Sequence, residues 1–193
     1  GKVAVDLPEG KNLVGAFKHP SCVLIDPLTL KTLDQRYIND GMGEVIKYGC
    51  IFDKDLFQKL VSYTSFDDLY QDIDDIIYRC VDLKRIVVEK DLLDFGDRLA
   101  LNFGHTLGHA VESIHIPNLY HGECVGLGML MIMENRDLRD KVKKILEKMG
   151  MPTHIDYAID EVLELVSKDK KCGKNTITIV QVDEPGKGYL KEV

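Results

Sequence analysis

The sequence lacks any apolar run near the ~20 residues that a membrane-spanning helix needs, and its opening GKVAVDLPEGK lacks the apolar core of a signal peptide. We therefore expect no membrane partner. The five cysteines are scattered without a CxxC pair, which argues against a disulfide framework or zinc ribbon and is typical of the reducing cytoplasm. A formal net charge of −7 disfavours nucleic acid as a partner. An anionic small substrate stays open, since an acidic protein can hold a local cationic pocket.

A GxGxxG motif after a strand is also absent, so the sequence offers no glycine loop for the pyrophosphate of a dinucleotide. What is present is mostly helical. Apolar residues recur at three- and four-residue steps over residues 53–89 and in DKVKKILEKMG, which ends at a Gly-x-Pro stop signal. IDEVLELVSKD predicts a further helix, and the tail NTITIVQVDEPGKGYLKEV predicts two short strands joined by a turn.

The first 26 residues have a different pattern from the rest of the chain. Residues 1–20 are rich in glycine, proline and lysine and predict an irregular, ligand-facing loop. SCVLID, at 21–26, predicts a buried strand. We therefore expect a mainly α fold with a few peripheral strands, in which residues 1–26 form a loop and strand and residues 27–193 form one helical domain.

Two histidines stand four residues apart in LNFGHTLGHAVES, residues 101–113. A helix predicted over residues 99–114 places His105 and His109 on one face, and Arg98, Asn102 and Glu112 continue the same stripe. The glutamate that follows the first histidine of HExxH is missing, which disfavours a metalloprotease. For this pair alone, two histidines packed in the core remain an equally good interpretation.

Two further motifs could complete a metal site. A catalytic zinc ion takes three nitrogen or oxygen ligands from the protein and keeps one position open. His105 can supply one, His121 in YHGE a second, and Glu44 in GEVIKYG a third. The alternative for Glu44 is an ordinary solvent-exposed helix glutamate. The combination favours a divalent metal site.

Four motifs in order carry a resemblance to a known family. GKVAVDLPEGKNLVGAF, GMGEVIKYG, LNFGHTLGHAVE and HGECVGLGM resemble the C-terminal half of the 3-dehydroquinate synthases, which belong to the sugar phosphate cyclases. The resemblance runs from residue 1 to about residue 133, with a weaker match at DKKCGKNTITIV. It implies the helical metal- and substrate-binding domain of that fold, with the family's N-terminal NAD-binding domain outside this sequence.

The resemblance also implies a reaction. Members of the family convert 3-deoxy-D-arabino-heptulosonate 7-phosphate to 3-dehydroquinate and phosphate, by oxidation with NAD, phosphate elimination, reduction and aldol ring closure. This step of the shikimate pathway makes the enzyme a carbon–oxygen lyase of aromatic amino acid biosynthesis. The implied cofactors are NAD and Zn²⁺ or Co²⁺. A cytoplasmic homodimer is expected for the full-length protein, whereas this chain alone is expected to be inactive.

Site residues carry over by position in the motifs. The metal ligands match Glu44, His105 and His121, the same set that ligand chemistry favours. Catalytic positions match Lys47, Lys84, Arg98, Asn102 and His109. Further substrate contacts match Lys2, Asn12 and one lysine of the DKK sequence, taken as Lys170. Contacts to NAD match Lys11, Thr29, Leu30, Lys31, Thr32 and Leu33.

Departures from the family pattern fall in two loops. The sequence has Asp6-Leu7-Pro8-Glu9 where Asn-His-Pro-Leu is common, and DLLDFGDR where DExExGLR is common. Alternatives from the same superfamily are 2-deoxy-scyllo-inosose synthase and, more distantly, the glycerol dehydrogenases. An inactive metal-binding domain is a third. Lys84 and Arg98 favour dehydroquinate synthase because its substrate carries a carboxylate that needs cationic partners.

Overall fold

A computed structural model describes residues 2–8, 10–93, 96–115, 117–156, 160, 162, 164–166 and 177–193. The described elements are β1 (Lys2–Leu7), β2 (Gly10–Phe17), a 3-10 helix (Pro27–Thr32), α1 (Gln35–Ile51), α2 (Lys54–Ser62), α3 (Phe66–Gln71), α4 (Ile73–Lys90), a second 3-10 helix (Asp97–Asn102), α5 (His105–His115), α6 (His121–Ile132), α7 (Arg136–Lys148), β3 (Thr178–Val182) and β4 (Gly188–Glu192). The mainly α class is therefore confirmed. Among these residues no helix is both long and apolar enough to cross a membrane.

The chain divides into two compact units, residues 1–31 and residues 32–193. The first unit holds the antiparallel pair β1–β2, in which Lys2 faces Phe17 and Val5 faces Val14. The prediction of an irregular loop over residues 1–20 was wrong. Its glycines serve the hairpin: a Cβ atom on Gly15 would lie 2.4 Å from the carbonyl oxygen of Val3 on the opposite strand.

The predicted strand over 21–26 was also wrong. SCVLID has no regular secondary structure, and the side chain of Leu24 is 93% exposed. Strand formation needs a partner for its backbone groups, and no strand in the described part of the chain pairs with this segment. Asp26 instead starts the first 3-10 helix, where its carboxylate accepts from the backbone N–H of Leu28 at 3.0 Å.

The second unit is built around one main core. The helices predicted over residues 53–89 are confirmed as α2, α3 and α4, and the sequence DKVKKILEKMG forms most of α7. The predicted terminal strands are confirmed as β3 and β4, which pair antiparallel. The core side chains lie mainly on α1, α2, α6, α7 and β3, and include Ile46, Cys50, Leu56, Leu60, Val125, Met129, Ile145, Leu146, Val180 and Val182.

The single helix predicted over residues 99–114 was wrong. Residues 97–102 form a 3-10 helix, and α5 begins only at His105. The break lies at Gly104, whose φ of 75° is in the left-handed region that favours glycine. A Cβ atom there would also lie 2.7 Å from the carbonyl oxygen of Val125 on α6. Arg98 and Asn102 therefore do not share a helical face with His105 and His109.

Glycines bring α5 and α6 into direct backbone contact. A Cβ atom on Gly108 would lie 2.9 Å from the carbonyl oxygen of Cys124, and one on Gly128 would lie 2.0 Å from that of Gly104. The glycines that flank the two histidines thus serve close approach of a neighbouring helix. This packing places the first turns of α5 and α6 side by side.

Candidate metal and substrate site

Helix α1 positions an acid and a base together. Glu44 and Lys47 are three residues apart, so their side chains lie on the same face of the helix. The Lys47 ammonium contacts Glu44 Oε2 at 2.5 Å. The Lys47 side chain is buried, whereas Glu44 is about one third exposed. The carboxylate thus opens toward solvent while its cationic partner lies beneath it.

Two histidines face this carboxylate from the first residues of α5 and α6. Glu44 Oε1 lies 3.1 Å from His105 Nε2 and 3.5 Å from His121 Nε2. Gly104 ends the preceding 3-10 helix and turns the chain so that His105 starts α5 at this point. The structure therefore brings together the three side chains that the sequence predicted as metal ligands.

The other nitrogen of each ring is held by the protein. His105 Nδ1 donates to the carbonyl oxygen of Phe103 at 3.0 Å, and His121 Nδ1 donates to Glu112 Oε2 at 3.1 Å. These bonds fix the tautomer and leave Nε2 of both rings as the ligand atom. Such outer partners are the usual support of metal-binding histidines. Glu112 was on the polar stripe of the sequence, but no role was predicted for it.

His109 stands close to the same two rings. Its ring centroid lies 5.3 Å from that of His105 and 5.8 Å from that of His121. One nitrogen of each of the three histidines lies within 4.8 Å of the others, so a three-histidine ligand set is geometrically open. We favour Glu44 as the third ligand because its oxygen already contacts both Nε2 atoms. His109 is exposed and lies on the solvent side.

The donor set fits a zinc-type ion. Two imidazole nitrogens and one carboxylate oxygen are the ligands of many catalytic zinc sites, with a fourth position left for substrate or water. The charge also fits. Burial raises the pKa of the Glu44 carboxyl. Hydrogen bonds from His105 and His121, together with the charge of Lys47, lower this pKa by more than burial raises it, so the net change is a decrease. The carboxylate is thus ionised and matched to a cation.

The electrostatics of the neighbouring groups follow from burial and charge. Burial lowers the pKa of Lys47, with repulsion by Lys84 adding to it, although Glu44 opposes the change. The Glu44 hydrogen bond raises the pKa of His121 despite its partial burial, and Glu112 raises it further. His121 therefore binds its proton more strongly than a free imidazole does, and a metal cation at Nε2 would replace that proton.

The remaining predicted catalytic residues, Lys84, Arg98 and Asn102, lie on two other elements. Lys84 is exposed on α4, within electrostatic reach of Lys47. Arg98, on the second 3-10 helix, is buried and donates from Nη1 to the carbonyl oxygen of Leu92 at 3.2 Å. Burial raises the pKa of Tyr48, next to Lys47, and the charge of Arg98 acts against this rise. Asn102 ends the same 3-10 helix with an exposed side chain.

Among the other predicted contacts, the structure describes the side chains of residues 29–33 but not those of Lys2, Lys11, Asn12 and Lys170. Lys2 is on β1 and Lys11 and Asn12 are on β2, and their side chains lie outside the described part of the structure. Lys170 lies outside the described residues. The predicted NAD contacts, Thr29, Leu30, Lys31, Thr32 and Leu33, occupy the first 3-10 helix and the residue after it.

Two family models and many curated relatives match this chain. The family model described as 3-dehydroquinate synthase C-terminal matches residues 41–172, and the one described as 3-dehydroquinate synthase N-terminal matches residues 1–40. The 3-dehydroquinate synthase of Clostridium botulinum (strain Alaska E43 / Type E3) is 49% identical over 99% of this chain. This chain covers 57% of that relative's length.

Solved structures show the same fold. The 2-epi-5-epi-valiolone synthase of Streptomyces hygroscopicus subsp. jinggangensis 5008, with NAD⁺ and Zn²⁺ bound, matches 98% of this chain and 56% of its own with a TM-score of 0.87 and 22% identity. A 2-deoxy-scyllo-inosose synthase complexed with carbaglucose-6-phosphate, NAD⁺ and Co²⁺ matches 100% of this chain and 59% of its own, with a TM-score of 0.82 and 24% identity. On the family match and the curated relatives, this chain belongs to the 3-dehydroquinate synthase family.

Proposed function

We propose that this chain is the metal- and substrate-binding part of a 3-dehydroquinate synthase. The whole enzyme would convert 3-deoxy-D-arabino-heptulosonate 7-phosphate to 3-dehydroquinate and phosphate, as a carbon–oxygen lyase of the shikimate pathway. The observation that carries the proposal is the contact of Glu44 Oε1 with Nε2 of both His105 and His121, above the buried Lys47. The sequence identity of 49% with a curated 3-dehydroquinate synthase supports the same activity.

Glu44, His105 and His121 would hold the Zn²⁺ or Co²⁺ ion. When bound, this ion supplies a Lewis acid that orients substrate hydroxyls and stabilises charge on their oxygens. The contacts of the rings with Phe103 and Glu112 keep the two Nε2 atoms aimed at one point. A well-supported ligand set of this kind limits the ion to one position relative to the substrate.

The cationic residues would bind the anionic groups of the substrate. Lys47 is buried beside Glu44, and Lys84 lies within electrostatic reach of it, so the two positive charges lie near one side of the metal ligands. Arg98 adds a planar guanidinium suited to a carboxylate or phosphate. We assign the further substrate contacts to Asn102, Lys2, Asn12 and Lys170 on the resemblance of their motifs.

His109 would transfer or hold a proton at the open side of the site. It is exposed, and its ring lies 5.3 Å from that of His105. An imidazole at that place can exchange protons with substrate hydroxyls without displacing the metal ligands.

NAD binding would need the rest of the longer protein. Residues 1–40 match the N-terminal family model, and we assign the NAD contacts of this chain to Lys11 and residues 29–33. The side chains of Val5, Val14 and Phe17 on the first hairpin are at least half exposed. Such apolar surface is typical of a face that another part of the protein covers. The chain alone is accordingly expected to show no turnover.

We expect the whole enzyme to be a homodimer, as the resemblance implies, and to act in the cytoplasm. Within the described part of the chain, Cys22, Cys50 and Cys80 are thiols rather than disulfides, which supports a reducing compartment.

The test is an assay of the full-length protein with the heptulosonate phosphate, NAD⁺ and Zn²⁺. The expected result is release of one phosphate per 3-dehydroquinate formed, without net consumption of NAD⁺. Glucose 6-phosphate is the comparison substrate, since it lacks the carboxylate that Lys84 and Arg98 are proposed to recognise. Turnover of glucose 6-phosphate in preference to the heptulosonate phosphate would contradict the proposal and favour 2-deoxy-scyllo-inosose synthase activity.

A further inference from the structure

The first turn of α6 rests directly on α1. A Cβ atom on Gly122 would lie 1.8 Å from the carbonyl oxygen of Asp40, and one on Gly43 would lie 2.3 Å from the carbonyl oxygen of Gly122. Gly43 precedes Glu44 and Gly122 follows His121 in the sequence. The backbone contact between the two glycines therefore sets how closely one proposed metal ligand can approach the other.

A polar cluster joins the two helices at this contact. Asp40 Oδ1 accepts from the backbone N–H of Glu123 at 3.0 Å, so α1 caps the start of α6. The Glu123 carboxylate accepts from Arg36 Nε and Nη2, both at 3.0 Å. It also accepts from the backbone N–H of Tyr120 at 2.9 Å. Glu123 is buried, so these bonds replace the water that its charge would otherwise need.

Arg36 also contacts the residues that precede His121 in the sequence. Its Nη2 atom donates to the carbonyl oxygen of Asn118 at 2.8 Å, and its guanidinium lies 4.1 Å from the centre of the Tyr120 ring. Tyr37 stacks on that same ring at 5.0 Å. The residues just before His121 and the residues just after it are thus both held by α1.

The spacing along α1 links this cluster to the metal ligands. Arg36, Asp40 and Glu44 are four residues apart, so they lie one turn after another on the same side of the helix. The first two hold the start of α6, and the third contacts its first residue, His121, at 3.5 Å. One face of one helix therefore carries both a ligand and the groups that fix the position of its neighbour.

We propose that Arg36, Asp40 and Glu123 are positioning residues, which hold His121 at ligand distance from Glu44. The inference rests on the metal site proposed above. His121 is the first residue of its helix and its side chain is 43% exposed, so core packing does little to fix it. A zinc ligand must hold its bond length within about 0.2 Å, and the first turn of a helix frays unless it is capped.

The experiment compares Arg36→Gln and Glu123→Gln with wild type, in the full chain as the cell makes it. The matched control is Arg79→Gln. Arg79, on α4, is another partly exposed arginine, and it contacts Asp53, the N-cap residue of α2, at 3.1 Å. The readouts are Zn²⁺ affinity by chelator competition, the visible spectrum of the Co²⁺-loaded protein, and the melting temperature of the metal-free protein.

Arg36→Gln and Glu123→Gln should weaken Zn²⁺ binding about 10- to 100-fold and change the Co²⁺ spectrum. Arg79→Gln should leave both within about twofold of wild type, even at an equal loss of melting temperature. Arg36→Lys, which keeps the charge, should recover part of the affinity and provides a milder variant if the others fold poorly. Wild-type affinity and spectrum in the Arg36 and Glu123 variants would overturn the inference. Failure of the wild type itself to bind Zn²⁺ would instead overturn the metal site, and the inference with it.

Discussion

Replacement of Glu112 tests whether the protein orients His121 for a metal ion. Glu112 Oε2 accepts from His121 Nδ1 at 3.1 Å, and its side chain is only 15% exposed. A hydrogen bond to a charged group contributes about 1.5–3 kcal/mol, against about 0.5–1.5 kcal/mol for a neutral pair. Glu112→Gln keeps an oxygen acceptor but loses the charge, so about 1.4 kcal/mol should be lost. That corresponds to about tenfold weaker Zn²⁺ binding.

Glu112→Ala removes the acceptor as well and should weaken Zn²⁺ binding by about 100-fold, at the upper end of the range for outer partners of metal ligands. The assay is a competition titration of the metal-free protein against a chromophoric chelator. Glu134→Gln is the control, because Glu134 lies just beyond the other end of α6, where its carboxylate contacts the Lys191 ammonium at 2.6 Å. Equal affinity of all four proteins would refute the role of Glu112.

Three further predictions concern the charge of Lys47, the packing of Gly122 and the stabilisation of the protein by Zn²⁺. Lys47→Met keeps the length of the buried chain without its charge, and should lower kcat/KM of the whole enzyme at least about 100-fold, or about 2.7 kcal/mol; a normal kcat/KM would refute its role. Gly122→Ala places a methyl group against the Asp40 carbonyl and should cost about 1–3 kcal/mol in denaturant unfolding, whereas Gly41→Ala, with open space around it, should add about 0.5–1 kcal/mol. Equal effects would contradict the packing described. Zn²⁺ at 100 times its Kd should stabilise the wild type by about 2.7 kcal/mol in the same assay and Glu44→Gln by much less, and equal stabilisation of the two would remove Glu44 from the ligand set.

The three residues that the structure brings together, Glu44, His105 and His121, could be chosen from the sequence because each stands in a short motif of unusual composition. Glu44 lies between glycines in an otherwise apolar segment. His105 and His121 each stand at the start of an apolar helix. The preference of catalytic zinc for nitrogen and oxygen ligands then reduced the candidate metal ligands to these three residues. The motifs carry no information about the relative position of α1, α5 and α6. That position depends on glycines that allow the backbones of neighbouring helices to come into contact.

The wrong predictions have local causes. The helix over 99–114 had suitable periodicity, but Gly104 has a positive φ that breaks the helix, and the α6 backbone leaves no room for a side chain there. The hairpin of β1 and β2 was read as a loop because its glycine and lysine content hid the alternation of the strands. SCVLID resembles a strand in composition, yet pairing partners decide whether a strand forms.

The polar cluster of Arg36, Asp40 and Glu123 had no signature in the sequence. Arg36 and Glu123 are 87 residues apart. In the sequence, each looks like an ordinary charged residue at the protein surface. Only the burial of Glu123, which the fold imposes, turns the pair into a link between helices. Long-range ion pairs of this kind depend on tertiary packing, and periodicity in a single sequence carries no information about them.

The most direct measurement is anomalous diffraction at the zinc edge from crystals of the full-length protein grown with Zn²⁺. We expect one strong peak at about 2.0–2.2 Å from a Glu44 oxygen and from Nε2 of His105 and His121. His109 should lie outside bonding distance of that peak. A peak bonded to His105, His109 and His121 with Glu44 turned away, or no peak at the site, would show that Glu44, His105 and His121 are not the ligand set.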